Sequence, residues 1–243
     1  MDGPGVAPPP AGPDVRVGIL LPTFTTSAGP ALDLAERAAT AGLDGVFAYD
    51  HLWPMGSPTR PALAPGPILA AVAQRLPLVV GPLVARIGLG TPEHLVRWFE
   101  TLGELAPRGV IAALGTGDRL SAEENRAYGL TLDDAATRRE QLREVATRLS
   151  PSFEVWIGAG AAATNAVARE VGATLNLWNA TIEQVAAAAQ RGPVSWAGVA
   201  RAAADLGPTL GALAGAGATW AVLSATADLD AVARWIEGSA TRQ

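Results

Sequence analysis

The residues Val110-Ile-Ala-Ala-Leu-Gly-Thr-Gly-Asp118 place a short apolar run directly before a glycine-lined polar loop. A continuous apolar run of this length is typical of a strand that is buried on both faces. The glycines on either side of Thr116 can expose backbone N–H groups and allow another molecule to approach closely, and the carboxylate of Asp118 can give or take a proton. The stretch therefore predicts a buried strand that ends in one wall of a pocket.

The same stretch is also compatible with an ordinary turn between a strand and a helix. In that alternative, Ser121 caps the helix and Glu124 completes a capping box. Because glycine-rich turns occur in many folds, these residues alone leave both interpretations open.

From Val15 onward, apolar or β-branched runs alternate with longer alanine-rich segments of helical character, and eight such pairs can be counted. Strict alternation requires right-handed crossovers and a parallel sheet. Eight units in 243 residues favour a closed barrel over an open doubly wound sheet. We therefore expect an α/β protein that forms a single (β/α)8 TIM barrel. The predicted strands are 15–21, 45–49, 78–84, 110–114, 154–158, 173–178, 194–199 and 219–224, and the predicted helices are 31–41, 68–74, 92–106, 133–149, 161–171, 182–190, 206–216 and 229–238.

The first 14 residues differ from the rest of the chain. They are rich in Pro, Gly and Ala and lack both the basic and the apolar segment of a signal peptide. We expect residues 1–14 to form a disordered tail. No proline-rich linker follows, so residues 15–243 are expected to form one barrel domain.

Composition excludes several classes of function. The formal net charge of -5 and the absence of a basic cluster argue against a nucleic-acid partner, and no apolar run is long enough to span a membrane. With no cysteine, disulfides, iron–sulfur clusters and cysteine nucleophiles are excluded, which is compatible with a cytoplasmic protein. Only two histidines are present, so we expect no histidine-rich metal site, although carboxylate-bound Mg²⁺ stays an alternative.

In a (β/α)8 barrel the functional residues lie where strands hand over to helices. After the second predicted strand come Asp50 and His51, and a carboxylate beside an imidazole can hold and tune a general acid or base. The alternative is a loop-capping aspartate and a surface histidine. Trp53 and Trp178 follow strand ends and are candidates for a pocket that holds a flat, partly apolar ligand.

Gly158, Ala159 and Gly160 follow the fifth predicted strand and lead into a helix. Such an arrangement offers free N–H groups and the positive end of a helix to a phosphate. An ordinary turn explains the same residues nearly as well, and the pattern lacks the third glycine of a dinucleotide fingerprint.

Taken together, these residues resemble the luciferase-like flavin-dependent oxidoreductases, in particular the branch that uses the deazaflavin coenzyme F420. The resemblance rests on motifs between Val15 and Trp178 and on alternation alone in the remainder. The motifs are Tyr49-Asp50-His51-Leu52, the run Gly-Pro-Leu-Val that begins at Gly81, Pro92 at a helix start, Leu102, Leu105, Ala106 and Pro107 before the fourth strand, Leu-Gly-Thr-Gly-Asp ending at Asp118, Tyr128-Gly129, and Gly158-Ala159-Gly160.

The resemblance implies roles for the polar residues at the strand ends. Asp50 would contact the ring system of the cofactor, and His51 would be the acid/base or charge-stabilising residue. Trp53 would stabilise the reacting centre. Asp118 takes the place of a glutamate that serves as proton donor in many family members.

The resemblance also implies how the cofactor is held. A cis peptide bond is expected between Leu83 and Val84, with the Val84 side chain behind the ring. Trp178 is expected beside the cofactor. The phosphate side of the cofactor would be bound near Thr116, Gly117, Gly158, Ala159 and Gly160.

The function that follows from the resemblance is an oxidoreductase that transfers a hydride between coenzyme F420 and an unknown small organic substrate. An FMN-dependent luciferase-like monooxygenase is the alternative within the same family. A third possibility is a trimmed barrel that binds a flavin or a protein partner without turnover, because few residues separate Val199 from Thr209, where the family commonly inserts a segment over the barrel mouth. Members of the family tend to form homodimers, and we expect the same here.

Overall fold

The computed structural model describes residues 15–54, 56–117, 121–199 and 203–240. The predicted tail, residues 1–14, lies outside this part of the chain, and so does Asp118. The predictions made for them therefore stay predictions.

The described residues contain nine strands, all paired in parallel in one sheet with the order β3-β2-β1-β9-β8-β7-β6-β5-β4. A bridge between Val80 and Val110 joins β3 to the start of β5, so the sheet closes on itself. The expected (β/α)8 barrel is confirmed. The strands are β1 (Arg16–Leu20), β2 (Gly45–Ala48), β3 (Val79–Pro82), β4 (Ala85–Arg86), β5 (Ile111–Gly115), β6 (Glu154–Gly158), β7 (Thr174–Trp178), β8 (Val194–Gly198) and β9 (Ala218–Leu223).

The third barrel strand is split, which is why nine strands build an eight-stranded barrel. β3 pairs with β2, whereas β4 pairs with β5 and brings Arg86 level with Gly115. The break falls between Leu83 and Val84, whose peptide bond is cis, as expected. The prediction of one strand over residues 78–84 was wrong at its end, because the chain turns there and continues along β5.

Helices alternate with the strands, and nine lie within the described residues, one more than predicted. The additional helix, α4, precedes the predicted long helix. No helix in this part of the chain combines the length and the apolarity needed to cross a bilayer. The helices are α1 (Gly29–Thr40), α2 (Pro65–Ala73), α3 (Pro92–Leu105), α4 (Ser121–Ala127), α5 (Ala135–Leu149), α6 (Ala162–Glu170), α7 (Ile182–Ala189), α8 (Ala203–Gly215) and α9 (Leu229–Ala240).

Polar residues begin several of these helices. Thr91 precedes Pro92 and accepts a hydrogen bond from the N–H of His94, and Thr181 forms a capping box with Gln184. Each cap satisfies N–H groups that the first turn of a helix leaves without a partner. The cap at Thr91 fixes the start of α3, which lies a few residues after the end of the split third strand.

The barrel interior is filled by side chains. Phe47 stacks on Trp156 with ring centroids 5.3 Å apart, and the edge of Trp220 packs against both rings. All three side chains are fully buried. Because large rings fill the interior, space for a ligand is left only above them, at the end of the barrel where the strands terminate.

Gly81, in the split third strand, allows a test of how closely β3 packs against β5. A Cβ added at Gly81 would lie 2.6 Å from the carbonyl oxygen of Ile111, which belongs to the backbone of β5 and cannot move aside cheaply. We expect Gly81→Ala to lower the free energy of unfolding by roughly 1–3 kcal/mol, the usual cost of overpacking. Urea unfolding measures the change.

Gly211 provides the matched control. It lies in α8 with nothing within 4 Å of an added Cβ, so Gly211→Ala should raise stability by about 0.5–1 kcal/mol. A Gly81→Ala variant as stable as the parent chain would contradict the register of β3 against β5.

Candidate active site

The carboxyl ends of the strands bring together side chains from distant parts of the chain. The loop after β2 carries Asp50 and His51, β4 carries Arg86, and the turn after β6 begins at Gly158. Two adjoining cavities of about 480 and 410 Å³ lie here, and they share His51, Val84, Gly158 and Ala159 in their walls. Each cavity lies within the size range of small-molecule binding sites.

The larger cavity has a basic end. Arg138 and Arg139 of α5 line it together with the turn that leads into α6. The residue before α6, Ala161, makes no side-chain cap, so the first N–H groups of this helix are not satisfied by a capping side chain. Two guanidinium groups and a helix N-terminus form a favourable environment for a phosphate.

The smaller cavity has an aromatic wall. Phe24 and Tyr49 stack with centroids 5.2 Å apart, and Trp178 meets Tyr49 edge to face at 6.1 Å. Trp178 is 48% exposed although it is a large apolar residue. Burial raises the pKa of Tyr49 to about 12, so its hydroxyl stays neutral at physiological pH. This wall suits a planar or apolar group.

Val84 forms the floor shared by both cavities. A Cβ on Gly115 would collide with Cγ2 of Val84, and a Cβ on Gly158 would lie 3.6 Å from it. The strand ends beside Val84 therefore carry no side chains. A valine flanked by two glycines presents a smooth apolar surface on which a flat ring can lie.

Below this floor lies a buried cluster of charged side chains. Nδ1 of His51 is 3.0 Å from Oε1 of Glu124, and Oε2 of Glu124 is 2.6 Å from Nη1 of Arg86. The side chains of Arg86 and Glu124 are both 4% exposed. Among the described residues, none forms a hydrogen bond of good geometry with the guanidinium of Arg86. The guanidinium is held instead by its ion pair with the carboxylate of Glu124.

Asp50 completes the cluster. Its Oδ2 accepts a hydrogen bond of 3.0 Å from the backbone N–H of Arg86. Burial raises the pKa of Asp50 above its ordinary value of 3.8, although this hydrogen bond and the charge of Arg86 act in the opposite direction. The carboxylate ties the loop after β2 to the short strand β4.

Comparison with known proteins was made in sequence and in structure. No family model matches the chain. An F420-dependent glucose-6-phosphate dehydrogenase from Kineococcus radiotolerans is 31% identical over 136 residues, which are 55% of this chain and 39% of that protein. An F420-dependent secondary alcohol dehydrogenase, solved with an F420–acetone adduct, superposes with a TM-score of 0.73 at 12% identity and covers 93% of this chain and 98% of that chain.

The chain shares its barrel fold with this protein. A monooxygenase of the same fold from Streptomyces bottropensis superposes with a TM-score of 0.67 at 14% identity over 92% of this chain and 97% of its own. The match in sequence spans about two fifths of the length of the curated relative, and the structural likenesses establish the fold.

Most of the residues predicted for the site lie at the mouth of the barrel. Asp50, His51, Val84, Thr116, Gly117, Gly158, Ala159 and Gly160 line the larger cavity, and Leu83 and Trp178 line the smaller one. Trp53 is not among the residues that line either cavity. The sequence suggested that the N–H of Gly160 is free to bind a phosphate. In the structure this N–H already donates a hydrogen bond to Oδ1 of Asn165.

Two residues of the cluster, Arg86 and Glu124, were missed as functional candidates. Glu124 was interpreted as a capping residue, whereas its carboxylate oxygens contact His51 and Arg86. The signal was present in α4, where the buried residues Ser121, Glu124 and Asn125 are all polar and share one face. A short helix with a polar buried face must pack against other polar groups.

The described side chains around Glu124 are not arranged to bind a metal ion. Within the part of the chain that the structure describes, no group of three or more His, Asp or Glu side chains is placed to hold a metal ion.

The raised pKa of Asp50 predicts a pH effect on stability. The folded state binds this proton more tightly than the unfolded state, so the contribution of Asp50 to stability increases as the pH falls through its raised pKa and levels off below 3.8. In Asp50→Asn, which retains an oxygen for the N–H of Arg86, this increase should be absent. Urea unfolding between pH 7 and 4 measures it.

Asp134 provides a control of opposite sign. It caps α5 by accepting hydrogen bonds from the N–H groups of Thr137 and Ala136, which lower its pKa. The stability that Asp134 contributes is present at neutral pH and is lost as the pH falls through the lowered pKa. Parallel pH curves for Asp50→Asn and Asp134→Asn, each relative to the parent chain, would refute the partly buried environment that raises the pKa of Asp50.

Proposed function

We propose that this chain binds coenzyme F420 at the barrel mouth and transfers a hydride between the deazaflavin and a small organic substrate. The observation that carries the proposal is the floor formed by Val84 between Gly115 and Gly158, with His51 beside it. The F420-dependent names of the sequence relative and of the structural neighbour support it.

The residues present fit the ring system. The strand ends beside Val84 lack side chains, so a planar ring could contact the valine without obstruction. Tyr49 and Trp178 stand at the side of the same space and offer aromatic surface. Shape and polarity thus agree with a tricyclic ring above Val84.

The residues also fit the phosphate-bearing side chain of the cofactor. Arg138 uses Nη1 to donate to the backbone oxygen of Asp133 at 2.5 Å, and its Nε is buried without a partner among the described residues. Arg139 lines the same cavity. Both would hold the phosphate against the start of α6.

When bound, F420 supplies the carbon that accepts or gives the hydride. The chain must then handle the accompanying proton, and His51 is the group placed to do so, because it lines both cavities. Its Nδ1 is occupied by Glu124, which leaves Nε2 as the nitrogen that takes a proton from a substrate hydroxyl or returns it to a carbonyl. We retain Asp118 as a second proposed proton donor and Trp53 as a proposed residue of the reacting centre.

FMN-dependent oxygenation is the second candidate, favoured by the fold shared with the Streptomyces monooxygenase. The floor and aromatic wall accept a flavin as readily as a deazaflavin. Binding of either cofactor without turnover would instead identify a barrel that only binds.

We further propose a homodimer in the cytoplasm. Outside the barrel, a groove of about 690 Å³ between α2 and α3 includes the apolar residues Trp98, Leu102 and Leu105. A second copy would cover this surface. The mass in solution, measured by light scattering, tests the assembly.

The basic end of the site predicts the effect of removing its charge. The double variant Arg138→Gln/Arg139→Gln should bind F420 roughly 10²- to 10⁴-fold more weakly, since hydrogen bonds to charged groups contribute about 1.5–3 kcal/mol each. Titration followed by F420 fluorescence measures the affinity, with FMN titrated in parallel.

Arg143→Gln is the matched control. Arg143 lies on the same helix but pairs with Glu140 and Glu170 at the surface, so its loss should leave the affinity unchanged. If neither F420 nor FMN binds the parent chain below about millimolar, the proposed function is wrong.

The position of His51 predicts that its removal affects turnover and not the binding of the cofactor. In His51→Ala the affinity for F420 should change little, whereas turnover should fall by about 10²–10⁴, the usual contribution of a general acid or base. A secondary alcohol and glucose 6-phosphate are the first substrates to test, with loss of F420 fluorescence as the readout. His94→Ala, at the start of α3, is the control, and equal loss of activity in both variants would remove His51 from the mechanism.

A further inference from the structure

The carboxylate of Glu124 is shared between Arg86 and His51. Its Oε2 forms the ion pair with Arg86, while Nδ1 of His51 lies 3.0 and 3.3 Å from its two oxygens. The histidine side chain is 29% exposed, whereas the other two side chains are buried. The three residues form a chain in which Glu124 lies between His51 and Arg86, and both of these line the larger cavity.

The order of the charges in this chain has a chemical consequence. An arginine stays protonated, and the group that forms an ion pair with it at 2.6 Å is a carboxylate. An ionised carboxylate can only accept hydrogen bonds, so the Nδ1 that faces Glu124 must carry a proton. The neutral ring then presents Nε2 without a proton to the cavity.

We infer that Arg86 and Glu124 are positioning residues that determine which nitrogen of His51 carries the proton and how readily the ring takes up a second one. Glu124 attracts the second proton, while Arg86 repels it by neutralising the same carboxylate. The two residues therefore act on His51 in opposite directions, although they form one ion pair. The protonation of the ring does not depend on the proposed function, whereas its use in turnover does.

Other groups near His51 must be kept unchanged in the test. Tyr49 is a neighbour in sequence and in space, with ring centroids 6.5 Å apart, and Asp50 is adjacent in the loop. Among the described residues, the other titratable or charged groups near the cluster include Tyr128, directly after α4, and Arg138 and Arg139 of α5.

The chain is suited to a direct measurement because it contains only two histidines. Nitrogen NMR of the full chain without cofactor gives the tautomer and the titration midpoint of each imidazole. His94 lies at the start of α3, where its backbone N–H bonds to Thr91, and serves as the internal reference. The variant His94→Gln assigns the two signals.

In the parent chain, we expect the proton of the neutral His51 ring on Nδ1. The midpoint of His51 should move to lower pH in Glu124→Gln and to higher pH in Arg86→Met, by at least half a pH unit in each case, while that of His94 stays in place. Arg86→Lys retains the charge and should stay close to the parent value.

An Nε2–H tautomer in the parent chain overturns the inference, and so do midpoints that move in the same direction in both variants or do not move. The parent tautomer decides the matter even if a variant fails to fold. Where F420 supports turnover, the pH profile of kcat should move in the same order as the midpoints. Midpoints that move as expected in a chain without turnover would leave the inference standing and refute the proposed function.

Discussion

The ion pair between Arg86 and Glu124 joins the end of the split third strand to the short helix after β5. Through it, three separate segments meet under the barrel mouth, because His51 contacts the same glutamate and Asp50 binds the backbone of Arg86. Removing one member of a buried ion pair leaves an uncompensated charge, so the cluster holds these segments together as a unit. The floor of the site and the group proposed to carry protons depend on this unit.

The local pattern of apolar, helix-forming and turn residues was sufficient to predict most of the barrel. The strand predicted at residues 154–158 was found as β6 at the same bounds, since its apolar run is enclosed by turn residues on both sides. The split of the third strand was not predicted from the apolar pattern of residues 78–84, although the family resemblance placed a cis peptide bond at the point where the strand breaks. α4 is absent from the predicted helices because its buried face is polar and shows no apolar period, although one of the two interpretations of Ser121 and Glu124 placed the start of a helix here.

The site was predictable where strand ends alone define it. Asp50, His51 and the turn at Gly158 come directly after strands, so the barrel rule places them at the mouth. To predict the roles of Arg86 and Glu124, one must know which side chains contact each other, and a single sequence does not supply that information. The aromatic wall combines Phe24, Tyr49 and Trp178 from three strand ends, and its geometry follows from the curvature of the closed sheet.

In the proposed site, the ring of the cofactor would lie against Val84, beside His51. A crystal structure of the chain with bound F420 would show where the ring binds. We expect the deazaflavin ring against Val84 between Gly115 and Gly158, and the phosphate beside Arg138, Arg139 and the start of α6. A ring bound elsewhere, such as the outer groove between α2 and α3, would contradict this expectation.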